Sequence, residues 1–312
     1  MILVCGEALM DVFAAVETPT GLMLDARVGG SPFNVVVGLA RLAQPVAFLS
    51  AVSSGFLGDR LMATLHSEGV NTGAVARTAA PTTLSLVGLD AKGVPAYSFY
   101  GHGGADRQLQ LSDLAALSDL PSDLKAIHVG SYATVVEPIA ATLRALVERE
   151  HSRCLIAYDP NLRLNVEPDL QAWKRTVQWM LPRTHLLKIS DEDLGLLQPG
   201  LSPDDFAAHA VAQGVRCVVV TRGGEGAQAW NAQGRVQVAA EPVAVVDTVG
   251  AGDTFQAALL TWLAEHHALD AQALVQLGLE SMNQALRFAS QAAAITCSRR
   301  GANMPRRAEL AL

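Results

Sequence analysis

The stretch CLIAYDPNLRLNVEPDLQAWKRTVQWMLPRTHLLKIS, Cys154 to Ser190, decides the fold class. It contains two short apolar runs, LIAYD and HLLKIS, separated by a segment from Gln171 to Leu181 whose apolar residues follow helical spacing. A strand, a helix and a second strand in this order form the crossover unit of a parallel β-sheet.

The same alternation extends in both directions along the chain. AIHVG and a helical segment from Ile139 to Glu150 precede the unit, and a helical segment from Pro203 to Gln213 and the run CVVVT follow it. Near the N-terminus, MILVC and VAFLSAV alternate with the helical patterns NVVVGLARLA and GDRLMATLHSEG. We therefore predict a three-layer α/β fold, a mostly parallel sheet flanked by helices, with the site at the carboxyl ends of the strands.

The last quarter of the sequence is predicted to be helical, and two earlier segments interrupt the alternation. The expected helices run from Ala251 to His266 and from Ala271 to Cys297. Segments of about 12–28 and 84–102 read instead as extended chain with turns, the second folding back at the turn DAKG, residues 90–93. We expect one domain over residues 1–312 with a small β-strand lid made of these segments, and ordinary surface hairpins are the alternative.

Composition excludes several classes of function. The 30 acidic and 23 basic side chains give a net charge of −7, which argues against a broad nucleic-acid surface. The absence of a basic leader and of a long uncharged apolar run predicts a cytoplasmic protein without a membrane partner. No Cys/His spacing indicates a structural zinc, and four scattered cysteines read as reduced: Cys5, Cys154, Cys217 and Cys297.

The segment VDTVGAGDTF, residues 246–255, places a glycine-rich turn before a helical pattern. The first amides of a helix lack intrahelical partners and carry partial positive charge, so Gly250, Ala251 and Gly252 form a socket for an anion. Asp253 then sits beside this socket, where a phosphoryl-transfer enzyme needs a group that accepts the proton of the attacking hydroxyl. A helix-capping aspartate after a glycine turn is the simpler alternative, and the loop alone favours it.

A second segment has features of a sugar site. VGGSPFNVVVGLARL, residues 28–42, has a glycine pair before Asn34, and Asp11 follows the first predicted strand. Gly30 allows a ligand to approach the backbone, while Asp11 and Asn34 offer an acceptor and a donor for sugar hydroxyls. Turn glycines and a helix cap are the alternative.

These motifs together resemble those of the ribokinase-like (PfkB) sugar kinases over essentially the whole chain. The resemblance extends from GEALMDV through GGSPFNVVVGLARL, AYDPNLR, KISDEDL and VTRGGEGA to DTVGAGDTF and AITCSRRGA, and DTVGAGDTF is its most specific element. It implies an ATP- and Mg²⁺-dependent kinase in which Asp253 is the catalytic base and the amides of residues 250–252 form an anion hole. It also implies sugar contacts by Asp11, Gly30, Asn34 and Arg163, and nucleotide contacts by Lys188, Ser190, Thr221, Gly223, Gly226 and Ser290.

The metal positions match the family incompletely. Many members have an Asn-x-x-Glu motif that organises Mg²⁺ and its waters, whereas this chain has Ser190 and Asp193 at those positions. The resemblance therefore assigns Mg²⁺ to Asp193 through water, with Glu192 as a substitute. Asp247 and Gly301 match positions that bind a monovalent cation in relatives, which makes K⁺ a further candidate.

The motifs favour fructose as the sugar. DPNLR and GGSPFN resemble the fructokinase and 2-keto-3-deoxygluconate kinase branches, and Leu9 replaces an asparagine that is usual in ribokinases. Relatives in both branches commonly have an arginine where this chain has Gly101, although His102 and Arg107 lie close by. Because a sugar acid would need that cation for its carboxylate, we favour fructose over 2-keto-3-deoxygluconate, other sugars and nucleosides.

Two other classes of function stay open from the sequence. A dinucleotide-binding oxidoreductase fits the α/β alternation, but the first strand is followed by GEALMD and not by GxGxxG. A non-catalytic sugar sensor would keep Asp11 and Asn34 without needing Asp253. A homodimer through the lid is a further expectation, because the segment VPAYSFY is apolar, although a lid that closes over its own site would explain this segment equally well.

Overall fold

The computed structural model describes residues 1–89, 95–119 and 123–310. Its strands, in chain order, are β1 Ile2–Cys5, β2 Leu9–Thr18, β3 Gly21–Gly29, β4 Val46–Ser53, β5 Val75–Thr78, β6 Leu84–Leu89, β7 Pro95–Tyr100, β8 Ala126–Gly130, β9 Leu155–Asp159, β10 Leu186–Ser190, β11 Cys217–Thr221, β12 Ala227–Asn231 and β13 Gly234–Val238. Its α-helices are α1 Ser31–Arg41, α2 Phe56–Ser67, α3 Ile139–Glu150, α4 Leu170–Met180, α5 Asp191–Leu197, α6 Pro203–Ala212, α7 Ala251–Glu265, α8 Ala271–Gln276 and α9 Leu279–Cys297.

A large sheet forms the middle layer of the molecule. Within the described residues it has nine strands in the order β13-β12-β11-β10-β9-β8-β1-β4-β5. The strands from β11 to β5 pair in parallel, and β12 and β13 continue the sheet as antiparallel hairpins. Because parallel strands end at one edge of the sheet, the loops after β1, β9, β10 and β11 meet there.

Helices cover both faces of this sheet. Side chains alternate along each strand, so Ile2 and Val4 pack on one face and Leu3 and Cys5 on the other. Residues of α1, α2, α7, α8 and α9 complete the first apolar cluster, and residues of α3, α4, α5 and α6 complete the second. The predicted three-layer α/β fold is confirmed. Among the described helices, none combines the length and apolar composition needed to cross a bilayer.

A second, smaller sheet lies beside the first. In the part of the chain that the structure describes it has four strands in the order β3-β2-β6-β7, with β2 and β6 parallel and the other pairs antiparallel. Most of the segments 12–28 and 84–102 lies in this sheet, although β2 begins earlier, at Leu9. The expected turn DAKG lies outside the described residues. That this sheet is a lid, and that residues 1–312 are one domain, stay predictions.

One predicted helix is wrong. The segment from Ala271 to Cys297 forms two helices, because the chain leaves helical geometry at Leu277 and Gly278, where ψ is 111° and 156°. Glycine has the greatest backbone freedom of any residue and weakens a helix interior, so the alanine-rich pattern does not continue through it.

Candidate active site

The first turn of α7 has the geometry that an anion socket requires. Gly250 precedes the helix with φ 77°, a left-handed conformation in which glycine is favoured. A Cβ atom at Gly250 would lie 2.6 Å from the Cβ of Ala302, so Gly250 also packs tightly against Ala302. Ala251 and Gly252 form the first turn, where the Ala251 amide donates to the Thr248 carbonyl oxygen at 3.2 Å and the Gly252 amide has no backbone hydrogen-bond partner among the described residues.

The Asp253 carboxylate is held in a fixed orientation by α1. The side chain is buried, with the residue 7% exposed. Ser31 Oγ donates to Asp253 Oδ1 at 2.7 Å, and Asn34 Nδ2 donates to Oδ2 at 2.8 Å. Asn161 Nδ2 in turn donates to Ser31 Oγ at 2.6 Å. These contacts place Asp253 at the end of a chain of hydrogen bonds that joins α7, α1 and the loop after β9.

The protonation of Asp253 depends on opposing effects. Burial raises the pKa of this carboxyl above its usual value, while the hydrogen bonds from Ser31 and Asn34 and the charges of Arg163 and Lys188 lower it. The two donors therefore help to keep an ionised acid in a buried place, which is the form that can accept a proton.

Two of the predicted sugar-binding residues, Asp11 and Arg163, lie near enough to Asp253 for their charges to interact. Burial raises the pKa of Asp11 to about 6, against the lowering effects of a hydrogen bond with Ser85 and of the Arg163 charge, and the nearby charge of Asp253 adds to the rise. Gly30 has φ 104°, and a Cβ atom there would lie 2.9 Å from the carbonyl oxygen of Glu7. Asp11 and Arg163 thus share one electrostatic environment with Asp253.

A cavity of about 570 Å³ borders the N-terminus of α7. Ala251 and Gly252 line it, so the predicted anion hole opens into this cavity. Four of the predicted nucleotide-binding residues line the same cavity: Thr221, Gly223, Gly226 and Ser290. Asp253 follows these cavity-lining residues directly in the chain, but it is buried and does not itself line the cavity.

The other two predicted nucleotide-binding residues do not line this cavity. Lys188 Nζ forms a buried ion pair with Asp159 Oδ2 at 2.6 Å. The ammonium group nevertheless lies close to the anion hole, because a Cβ atom at Gly252 would be 3.1 Å from Nζ. Ser190 caps α5, where its Oγ accepts from the Asp193 amide at 3.0 Å.

The predicted metal residues fall in two separate places. Burial raises the pKa of Asp193 to about 6, and its Oδ2 accepts from the Leu162 amide at 3.2 Å. Glu192 beside it is exposed. Asp247 and Gly301 contact each other, with the Gly301 amide donating to Asp247 Oδ2 at 2.8 Å. No cluster of three or more His, Cys, Asp or Glu side chains suited to a metal occurs among the described residues.

Asp193 and Asp159 together offer carboxylate oxygens that fit a hydrated divalent cation. Asp159 Oδ1 is buried without a hydrogen-bond partner among the described residues, and the charge of Asp159 contributes to the raised pKa of Asp193. Two carboxylates next to each other provide oxygen ligands of the type that Mg²⁺ and its waters contact.

The comparison with known families agrees with this arrangement. A family model described as pfkB family carbohydrate kinase matches residues 1–308. The chain belongs to the pfkB family of carbohydrate kinases. This pfkB chain is therefore a sugar kinase, and the alternative of a dinucleotide-binding oxidoreductase is wrong.

Curated relatives and solved structures of the pfkB family match nearly the whole chain. A fructokinase of Rhizobium leguminosarum bv. trifolii is 35% identical over 282 residues, which cover 90% of this chain and 85% of the relative. The structure of a Xylella fastidiosa fructokinase with bound ATP has a TM-score of 0.87, with 29% identity, and the match covers 99% of this chain and 96% of that one. A Vibrio cholerae O395 fructokinase bound to fructose, ADP and calcium has a TM-score of 0.80, with 26% identity, and coverages of 96% and 94%.

Sequence reasoning missed several polar residues of this pfkB site. Ser31 contacts Asp253, Asp159 contacts Lys188, and Asn161 contacts Ser31. All three lie within the motifs GGSPFN and DPNLR, which was the available signal. Glu7 was missed as well. It is 1% exposed, its Oε2 has no hydrogen-bond partner among the described residues, and burial raises its pKa to about 8. Its position in GEALMD gave no indication of this burial.

The guanidinium of Arg107 lies beside Gly101, close to the place where a side chain at position 101 would begin. A Cβ atom at Gly101 would be 2.9 Å from Arg107 Nη2. The guanidinium stacks on the rings of Phe99 and Tyr132, with its central carbon 5.6 Å from each ring centroid. His102 is exposed. Arg107, one of the two residues named as replacements for the arginine, therefore reaches this place.

Proposed function

We propose that this pfkB kinase transfers the γ-phosphoryl group of ATP to the primary hydroxyl at C6 of D-fructose, giving fructose 6-phosphate and ADP. The observation that carries the proposal is the position of Asp253, held by Ser31 and Asn34 directly after an anion socket that opens into a cavity. Asp253 accepts the proton of the sugar hydroxyl, and the amides of Gly250, Ala251 and Gly252 stabilise negative charge on the transferred group.

ATP and its metal are assigned to the residues around this socket. We propose that the cavity lined by Thr221, Gly223, Gly226 and Ser290 takes the nucleotide. Lys188 and Ser190 are proposed to act nearer the phosphates, Lys188 through its closeness to Gly252. Mg²⁺, held through water by Asp193, would neutralise phosphate charge when bound. K⁺ at Asp247 and Gly301 stays a proposal.

The choice of fructose rests on the relatives and on the charge of the sugar side. The fructokinases from Rhizobium and Xylella are named for this activity, and the Vibrio fructokinase structure contains fructose. Asp11 and Asp253 lie near Arg163, and these two acids disfavour an anionic sugar. Arg107 supports the alternative, 2-keto-3-deoxygluconate, since a guanidinium suits a carboxylate.

We make four further proposals about the whole protein. The smaller sheet acts as a lid over the sugar, residues 1–312 form one domain, and the protein works in the cytoplasm, where ATP is supplied. The fourth is a homodimer formed through the lid sheet, which presents exposed apolar side chains.

An ATP-consumption assay with purified protein tests the substrate. The panel contains fructose, 2-keto-3-deoxygluconate, ribose and a ribonucleoside, each with Mg²⁺, and we expect the highest kcat/KM with fructose. A higher value with the sugar acid would replace fructose by the alternative. Binding of a sugar without any ATP consumption would instead indicate a sugar sensor.

The variant Asp253→Asn tests the base. We expect kcat to fall by about 10³-fold or more, because the amide cannot accept the proton. The dissociation constant for fructose, measured by calorimetry, should stay within about threefold, since sugar binding does not need the base. Asp270→Asn, which alters the exposed cap of α8, is the matched control and should keep full activity. Substantial residual turnover in Asp253→Asn would reject the assigned role.

A further inference from the structure

One row of side chains crosses the smaller sheet on the face that carries Asp11. Asp11 of β2 pairs directly with Arg27 of β3 on one side and with Ser85 of β6 on the other. Directly paired residues of neighbouring strands project from the same face of a sheet. Arg27 therefore lies next to the predicted sugar contact and on the same side.

Arg27 reaches from this row to the C-terminal loop, which we define as Arg300–Ala302. Its Nη1 donates to the Arg300 carbonyl oxygen at 3.2 Å, and a Cβ atom at Gly301 would lie 2.8 Å from the same nitrogen. Nε and Nη2 donate to Asp25 Oδ2 at 2.9 and 2.7 Å. The guanidinium also lies over the Phe13 ring, 5.7 Å from its centroid. Contacts on three sides hold the side chain toward the loop.

The C-terminal loop is joined on its other side to the anion hole. The Gly301 amide donates to Asp247 Oδ2 at 2.8 Å, and Asp247 Oδ1 accepts from the Val249 amide at 3.0 Å. Ala302 packs directly on Gly250, as the 2.6 Å distance to a Cβ atom at that glycine indicates. The loop is thus in contact with Arg27 on one side and with the residues preceding α7 on the other.

We propose that Arg27 is a positioning residue that couples sugar binding in the smaller sheet to nucleotide binding at the anion hole. A sugar held by Asp11 restrains β2 and its partner β3, and Arg27 transmits this restraint to the C-terminal loop. The loop then holds Val249 and Gly250 in the conformation that presents the amides to the phosphates. The proposal rests on the proposed sugar and nucleotide sites.

A binding cycle with two ligands measures this coupling. The dissociation constant of ADP with Mg²⁺ is determined by calorimetry with and without saturating fructose, in the wild type and in Arg27→Gln. We expect fructose to tighten ADP binding about fivefold or more in the wild type, within the usual range for coupled sites. In Arg27→Gln the factor should fall below about twofold, while each ligand alone binds within about threefold of its wild-type affinity.

Two further variants separate positioning from general loss of charge. Arg235 lies on the edge strand β13, is about as exposed as Arg27 and forms an ion pair with Asp204 of α6. The variant Arg235→Gln should keep the wild-type coupling factor. Asp25→Asn weakens the ion pair that orients Arg27 but leaves the guanidinium, so it should give an intermediate factor. A merely structural role of Arg27 would lower the affinities for both ligands and leave their coupling unchanged.

The outcomes for the inference and for the proposed function are distinct. A wild-type coupling factor retained in Arg27→Gln overturns the inference, and so does a wild type without coupling, even when fructose is phosphorylated. If another sugar is phosphorylated instead, the proposed substrate fails and the cycle is measured with that sugar. If no sugar binds, both fail.

Discussion

Ser31, a neutral side chain, affects the pH range in which the buried acid Asp253 is ionised. Its hydroxyl donates to Asp253 Oδ1 at 2.7 Å and lowers the pKa of that carboxyl against the effect of burial. Asn161 orients the hydroxyl by donating to it. Because a base has to be ionised to accept a proton, loss of the Ser31 donor restricts activity to higher pH.

The variant Ser31→Ala therefore has a defined effect on the pH profile. Without this hydrogen bond the pKa of Asp253 rises, so the acid limb of the kcat profile should move upward by about one pH unit. At pH values well above the acid limb, kcat should change little. Profiles of kcat against pH from 5 to 9 check this. Ser202→Ala, which removes the cap of α6 far from the site, should leave the limb in place. An unmoved limb in Ser31→Ala would show that Ser31 does not tune the base.

At the scale of elements, two glycines at the start of α7 have different roles. We expect Gly250 to matter for folding and Gly252 for phosphate binding. Gly250 is needed for the backbone, because φ is 77° and Ala302 leaves no space for a side chain. Gly252 is already helical, and its nearest neighbour is the flexible end of Lys188. The same substitution at the two positions should therefore have different consequences.

Gly250→Ala should lower the melting temperature by several degrees, because a left-handed alanine costs about 1–2 kcal/mol and its methyl group meets Ala302. Gly252→Ala should keep or raise the melting temperature, since alanine favours a helix by up to about 1 kcal/mol. Its methyl group obstructs the anion hole, so KM for ATP should rise about tenfold. Gly195→Ala in α5, where a Cβ atom meets nothing within 4 Å, is the control for helix propensity. Equal melting temperatures of Gly250→Ala and Gly252→Ala would contradict the prediction that only Gly250 is needed for folding.

The elements also show what could be predicted from the sequence. The alternating apolar runs predicted the parallel strands because burial on both faces leaves continuous hydrophobic segments. In the short strands β5 and β13 every residue except Val238 is exposed or half-buried, so their apolar pattern is weak and neither was identified. The break at Gly278 was missed because alanine spacing dominated the pattern around it.

The candidate site was predictable only where a motif marked it. Motifs located Asp253 and the glycines before it, but contacts between distant segments do not appear in local spacing. The ion pair of Asp159 with Lys188 and the link from Arg27 to the C-terminal loop depend on how the sheets bring these segments together. Each of these contacts joins residues far apart in the chain, which a single sequence cannot reveal.

At the scale of the whole molecule, the two sheets have different surroundings. The large sheet is covered by helices, whereas the β2–β3 hairpin carries exposed apolar side chains: Val16 (55%), Leu22 (54%), Met23 (57%) and Leu24 (52%). Leu22 and Leu24 project from one face of β3 and Met23 from the other, so both faces are uncovered here. β3 is also an edge strand with free pairing capacity.

These features predict a homodimer that forms through the hairpin. Light scattering after size exclusion should give twice the chain mass at micromolar concentration. The double variant Leu22→Glu with Leu24→Glu should give the mass of one chain, because it places like charges of two copies against each other. Leu201→Glu, at an exposed leucine in the loop before α6, should stay dimeric. A wild type with the mass of one chain would contradict the dimer, whereas a dimer unaffected by the double variant would move the interface to another surface.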